Sequence, residues 1–314
     1  MNRLFPWRRS AREPGWLAVS LQPGGLSFAH GVSEAGKKCA IRTCGTRALD
    51  DSPADFERVT KELGAERYQC LTLLQSSDYH LVLVDAPNVP APELKAAVRW
   101  KLKDMLDYHI EDATIDVLDI PVPSAGARGH SMYAVAARNE LVQGVIERFS
   151  AAEVPLSVID IAETAQRNIA ALFEPAERGV GMLYLFPKQA LLTVNFKGEL
   201  YLARRIDVGA DQLLGATPPQ REEALSRILL ELQRSLDHLD RQFPFVTMAK
   251  LLLAPEPGDT GVAEHLAANL GVAVEKARLR DVIDFGADAE VTDEAAWRLF
   301  HVLGAALRNE VKTL

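Results

Sequence analysis

The sequence predicts an α/β protein built in two lobes, because a meander of strands followed by a long helix occurs once in each half. In the second half, residues 181–186, 191–196 and 199–206 follow one another as short, largely apolar runs, the pattern of buried strands. Gly198 in the Lys197-Gly198 turn accepts positive φ, as a tight hairpin requires. In the first half, residues 16–21 (WLAVSL) pass through Pro23-Gly24-Gly25 into a return strand at 26–30. The clearest helix spans 221–241, where Leu225, Ile228, Leu229, Leu232, Leu236 and Leu239 keep a 3.6-residue beat.

The remaining elements follow in order. A third strand is expected at 40–46 and a helix at 55–63, with Phe56, Val59 and Leu63 on one side and Gly64 as its stop. Strands follow at 70–74 and 80–85. Pro90-Ala91-Pro92 opens a helix at 93–107, proline being tolerated in the first turn, with Leu94, Val98, Leu102, Met105 and Leu106 along one stripe. Residues 114–121 and 131–137 read as strands around a small-residue loop at 124–129. A helix at 141–152 and a strand at 156–161 come next. Beyond the long helix, a strand at 250–254, a helix at 262–270, a strand at 272–275 and a helix at 293–309 complete the chain. The last has acids in its first turn and Arg308 in its last, which suits the helix dipole.

Composition bounds the function. At 314 residues, 48% hydrophobic and 25% charged, the chain has the size of about two ordinary domains. A net charge of −8 argues against nucleic-acid binding, which needs a basic face. The three cysteines, Cys39, Cys44 and Cys70, form no C-x-x-C pair, so neither a disulfide framework nor a zinc site is signalled. No apolar run approaches the ~18 residues of a membrane span, and the basic start MNRLFPWRRSAR lacks the apolar core of a secretory signal. A cytoplasmic protein is expected.

Four segments resemble the PilM family of type IV pilus assembly proteins, relatives in fold of the cell-division protein FtsA. They are PELKAAVRWKLKDMLDYHIEDATIDVLD at 92–119, MYAVAARNELVQGVIERFSAAEVPLSVIDIAETA at 132–165, LQRSLDHLD at 232–240 and HVLGAALR at 301–308. Their order and spacing span most of the chain. Within that family the start PGWLAVSLQPGGLS resembles the MshI type of the mannose-sensitive haemagglutinin (MSHA) pilus. The resemblance implies an actin-like two-lobed fold with an inserted α+β subdomain. It places a leader at 1–15, a first lobe at 16–175 with the insert at about 78–157, and a second lobe at 176–314. The C-terminal helix would pack back near the lobe junction.

Active members of the actin-like group hold ATP with three loops, and here all three depart from the pattern. In the first, an acid, a glycine and a lysine are replaced by Ser20, Gln22 and Ser27. In the second, Tyr184 replaces the acid and Phe186 the glycine. In the third, the glycine pair gives way to Leu253-Ala254-Pro255-Glu256-Pro257-Gly258, where the prolines lack N–H donors and Glu256 would meet a negative ligand. The expectation is an assembly adaptor without catalytic residues, cofactor or metal: a pseudo-ATPase. The alternatives are an active actin-like ATPase using Asp207 and Asp211, and the cytoplasmic part of a type II secretion L-type protein.

The resemblance also implies a partner. PilM proteins bind the cytoplasmic N-terminal peptide of PilN, a bitopic inner-membrane protein (MshJ-like in an MSHA system), in a groove between the first lobe and its insert. Contact with the pilus ATPase complex and self-association remain open. Trp100 lies between Arg99 and Lys101, off the apolar stripe of its helix, so Trp100 with Lys95, Arg99 and Lys103 are the candidate partner contacts. The leader residues Leu4, Phe5, Trp7 and Arg8 resemble the partner peptide itself, although coincidence in a basic tail accounts better for so short a motif. The carboxylates around His238 and His109 read as solvated surface.

Overall fold

The computed structural model of the chain describes residues 12–33, 38–50, 52–122, 130–286 and 291–309. The leader, with Leu4, Phe5, Trp7 and Arg8, and the loop at 124–129 lie outside the described residues. Strands β1 (Trp16–Gln22), β2 (Gly25–Val32) and β3 (Cys39–Ala48) form an antiparallel meander. Helix α1 (Pro53–Glu62) starts where the Ser52 hydroxyl accepts the Asp55 N–H at 3.2 Å, an ordinary N-cap. It returns the chain to β4 (Gln69–Leu73), parallel to β1.

The insert is a three-stranded antiparallel sheet with one helix. Strand β5 (Tyr79–Asp85) is followed by α2 (Leu94–Leu102), β6 (Ala113–Asp119) and β7 (Ser131–Arg138), in the spatial order β5-β7-β6. Val98 and Leu102 bury α2 against Ile115, Met132 and Ala134. The sequence predicts this helix to continue through residue 107. It ends at Leu102 because Leu106 and Tyr108 reach the same core from a turn. Met105 is thereby left 54% exposed.

Helix α3 (Asn139–Ala151) leads to β8 (Leu156–Asp160), which pairs with β4. Helix α4 (Ala162–Ala171), absent from the sequence expectations, crosses to the second lobe. There β9 (Gly179–Leu185), β10 (Ala190–Phe196) and β11 (Glu199–Ile206) repeat the meander. Lys197 at φ 53° and Gly198 at φ 78° give the doubly positive turn that matches strand twist. Helix α5 (Ala210–Leu214) precedes α6 (Pro218–Gln242), which has proline at its start and a Thr217–Gln220 cap with the Thr217 N–H donated to Gln220 Oε1 at 3.0 Å. Strand β12 (Met248–Leu253), helix α7 (Val262–Asn269) and strand β13 (Ala273–Lys276) complete a sheet of order β11-β10-β9-β12-β13.

The chain then goes back. After α8 (Leu279–Val282), β14 (Ile283–Phe285) adds to the free edge of β3. Helix α9 (Asp293–Ala306) packs across β1 to β4. The resemblance counts these residues with the second lobe, the C-terminal helix packing back near the junction. Strand pairing returns them to the first, where Ile283, Leu299 and Leu303 find apolar cover.

Helices α4 and α9 lie together between the sheets and form one core with Ala18 and Leu71 of the first sheet and Met182 and Leu252 of the second. The lobes therefore share buried surface. Arg308, predicted to serve the end of α9, instead lies buried beyond it and pairs with Asp160 at 3.0 Å.

Candidate functional site

The cleft between the lobes collects residues from both meanders. Ser20 and Ser27 stand opposite each other on β1 and β2, and Gln22 precedes the turn at Pro23-Gly24. Tyr184 and Phe186 come from the end of β9. All five line one cleft of about 640 Å³, with Trp297, Arg298 and His301 of α9. Pro255 and Glu256 are not there. They line a neighbouring cavity of about 850 Å³ with Lys276, Arg278 and the first turn of α9. The three predicted loops thus surround the lobe junction in two separate cavities.

Aromatic packing closes the cleft floor. The Tyr184 ring stacks on Phe300 at 5.1 Å and meets Phe186 and His301 edge-on at 4.7 and 4.4 Å. His301 lies flat on Phe186 at 4.8 Å. The Tyr184 hydroxyl donates to the Trp297 carbonyl at 2.9 Å, and Trp297 Nε1 donates to the Leu185 carbonyl at 2.7 Å. Tyr184 and Phe186, which the sequence reading sets at the second loop, are thus held against α9, Tyr184 by a hydrogen bond and Phe186 by stacking on His301. Sequence reasoning missed the partners, although Trp297, Phe300 and His301 have the i, i+3, i+4 spacing of one helix face.

His301 keeps one edge toward the cleft, but its Nε2 is buried without a described hydrogen-bond partner. Burial, followed by the positive charge of Arg205, pulls its pKa from 6.5 to about 3. The folded protein thus holds a neutral imidazole that the unfolded chain protonates near pH 6.5. Its contribution to stability is complete above that pH and lost as pH falls toward 3. Between pH 7.5 and pH 5 the loss is about 2 kcal/mol. Replacing His301→Phe, which keeps the stack, is expected to remove that component from urea-unfolding free energies. An unchanged pH slope contradicts this.

No carboxylate lines the cleft among the described residues, so its lining offers no acid for a metal or an attacking water. Asp207 and Asp211 do not supply one. The Asp207 carbonyl accepts from Arg227 at 3.4 Å, and Asp211 lines a shallow hollow between α5 and α6. In the neighbouring cavity, burial raises the Glu256 pKa. The Thr260 hydroxyl donates to Glu256, and Lys276 Nζ lies 3.4 Å away. No cluster of metal-ligating side chains occurs among the described residues, those around His238 and His109 included.

The residues predicted to meet a partner divide into two kinds. Arg99 donates to the carbonyls of Ile110 and Ala113 at 2.7 and 3.2 Å, and Lys95 pairs with Asp116 at 2.9 Å. Both hold the insert together. Trp100 is 77% exposed, with Lys103 Nζ 5.9 Å from its ring centre.

The junction of the insert with the first sheet is filled by Leu74, Tyr79, Ala137 and Ile161. A groove of about 640 Å³ opens instead between the insert and the second lobe. In its floor, Glu163, 1% exposed, accepts hydrogen bonds from the Tyr79 hydroxyl and from Arg205 Nη2, the latter at 2.9 Å. Burial, then the Glu163 charge, raises the Tyr79 pKa.

No protein-family model and no curated protein matches the chain significantly. Among solved structures it is similar to a chain of a PilM–PilN type IV pilus biogenesis complex, with a TM-score of 0.71 and 20% identity over 93% of this chain and 98% of that one. It is also similar to a Bacteroides thetaiotaomicron protein described as having an actin-like ATPase fold and unknown function, with a TM-score of 0.50 and 11% identity over 90% and 96% of the two chains. Two meander-led sheets joined through paired helices, matched along nearly the whole length, make this an α/β protein of the actin-like fold.

Proposed function

We propose that the protein is a non-catalytic adaptor of a type IV pilus machine, of the MshI type in an MSHA system. It docks from the cytoplasm on the tail of a bitopic inner-membrane protein, PilN-like and in that system MshJ-like, and so bears on the pilus ATPase complex. Likeness of fold does not assign function. The observation that carries the proposal is the cleft itself, whose phosphate-loop positions hold Ser20, Gln22, Tyr184 and Phe186 packed against α9, with no described carboxylate in the lining. An ATPase needs charge-stabilising groups aimed at the phosphates. The near full-length likeness to a chain of a PilM–PilN complex supports the choice of assembly. Among the described residues no helix is long and apolar enough to cross a membrane, consistent with attachment through a partner.

Calorimetry on the full chain tests both halves of the proposal. The N-terminal tail peptide of a bitopic pilus protein is expected to bind with micromolar affinity, and ATP with magnesium to give no heat. Failure of every such tail removes the adaptor. Micromolar ATP binding with phosphate release restores the ATPase.

A further inference from the structure

The groove between the insert and the second lobe has two features that its role in joining the lobes does not use: an unpaired strand edge and a stripe of cations. The sheet order β5-β7-β6 leaves β5 paired on one side only. The consecutive residues His80 to Leu83 line the groove. A strand offering only a face would contribute alternate residues, so it is the edge of β5 that borders the space. Opposite lies β11, the edge of the second sheet. The Ala203 N–H points out of that sheet, since it donates to the Tyr133 hydroxyl at 2.9 Å.

Exposed strand edges are usually blunted by charge. The other edge of the insert is blunted in this way, with Asp116 in the middle of β6. The middle of β5 is Leu81-Val82-Leu83, without a charge, and Leu83 is 37% exposed. Over this edge stands α6, which presents Arg234, His238 and Arg241 to the groove. Their i, i+4, i+7 spacing puts them on one helix face. Arg234 shares Glu231 at 2.9 Å, whereas His238 and Arg241 are exposed and pair with no described residue. The groove then runs on past Leu83 to Lys101 and the exposed Met105. In a protein of net charge −8, this stripe is of the opposite sign to the molecule as a whole.

The geometry points to β5 as a strand-addition site for an extended peptide in which apolar residues alternate with carboxylates. Main-chain hydrogen bonds to the β5 edge supply the register. The Arg234, His238 and Arg241 stripe selects acidic side chains on the peptide, and Leu83 and Met105 receive apolar ones. This adds to the adaptor proposal, on which it rests, a second docking segment that is acidic where the membrane-protein tail resembles the basic leader.

The test uses the full chain and a fluorescein-labelled peptide EVDLEV, followed by fluorescence anisotropy and by hydrogen exchange. Micromolar binding is expected, with slowed exchange in the peptide covering residues 80–83. Arg234→Glu with Arg241→Glu, both exposed, should weaken binding at least tenfold while leaving the melting temperature unchanged. A peptide N-methylated at alternate amides, or with lysine in place of each acid, should not bind. No binding, equal binding by either altered peptide, or protection confined to another segment overturns the proposal. If a membrane-protein tail binds while residues 80–83 stay unprotected, the adaptor survives and the strand-addition site falls. If EVDLEV protects β5 but no tail binds, the outcome is reversed.

Discussion

Gly304→Ala is expected to destabilise the protein by about 3 kcal/mol, the upper part of the range for overpacking a dense core, and to lower its melting temperature by about 4–5 °C. A Cβ at this position would overlap the Ala165 carbonyl oxygen and lie 2.8 Å from its carbon. Both atoms of that carbonyl belong to backbone, so no side chain can turn aside. Neither helix can withdraw freely. Helix α9 is also pressed on β2, where a Cβ on Gly31 would lie 2.7 Å from the Ala306 carbonyl carbon. Helix α4 is tied to the second sheet by Gln166, whose Nε2 donates to the Met182 carbonyl at 2.9 Å and to Thr193 Oγ1 at 3.0 Å. Asn168 Nδ2 donates to the Gly304 carbonyl at 3.0 Å and fixes the crossing. Gly144→Ala is the control, since a Cβ there meets nothing within 4 Å. In the middle of α3 it should stabilise slightly, by about 0.5–1 kcal/mol. Thermal melts of the two variants separate the steric cost from the propensity gain. A Gly304→Ala protein melting within 1 °C of the parent excludes this account of the helix crossing.

Helix α4 shows why part of the fold was legible in the sequence and part was not. The meanders are visible because their strands are apolar runs bounded by turn residues, and α6 because it shows the protein a single apolar face behind an opening proline. Helix α4 has no such face. Glu163, Thr164, Gln166 and Arg167 are buried along with Ala165 and Ile169, because sheets and helices cover it on several sides, with Glu163 bonded to Tyr79 and Arg205 and Gln166 to the second sheet. A periodicity search meets polar residues at positions that are in fact interior. Strand β14 failed for another reason: three residues carry no period, and its pairing with β3 is decided by distant chain. The cleft was half legible. Ser20, Gln22, Tyr184 and Phe186 can be read as one set and do line one cleft, but the stacking of Tyr184 on Phe300 joins segments that no local pattern connects. The same limit hid the groove. The helix face around His238 reads as solvated until the edge of β5 is placed opposite it.

Asp160→Ala is expected to cost about 3 kcal/mol or more, because it takes one member out of a buried ion pair and removes the acceptor at the start of α4. The pair is 3.0 Å apart, with 6% and 7% of the two side chains exposed. Asp160 also accepts the Ile161 N–H at 2.9 Å and the Thr164 hydroxyl, so it organises the first turn of α4 while holding the chain that leaves α9. Asp160→Leu with Arg308→Met should cost clearly less than Asp160→Ala, since no charge is then left buried and the volume stays filled. The part not recovered measures the helix-start contacts of Asp160, which Arg308→Met alone preserves. A double-mutant cycle in urea is expected to give a coupling of about 2 kcal/mol or more, within the range for directly interacting groups. Raising the salt concentration should change that coupling little, because buried pairs are weakly screened. The exposed Arg58–Glu62 pair at 2.6 Å on α1 provides the contrast, with a weaker coupling that fades in salt. Single variants that lose nothing, or a double variant as unstable as the sum of the singles, would mean that Asp160 and Arg308 are neighbours without being partners. The two helices between the lobes would then be held by the close Gly304–Ala165 packing and the Asn168–Gly304 hydrogen bond, without a contribution from this ion pair.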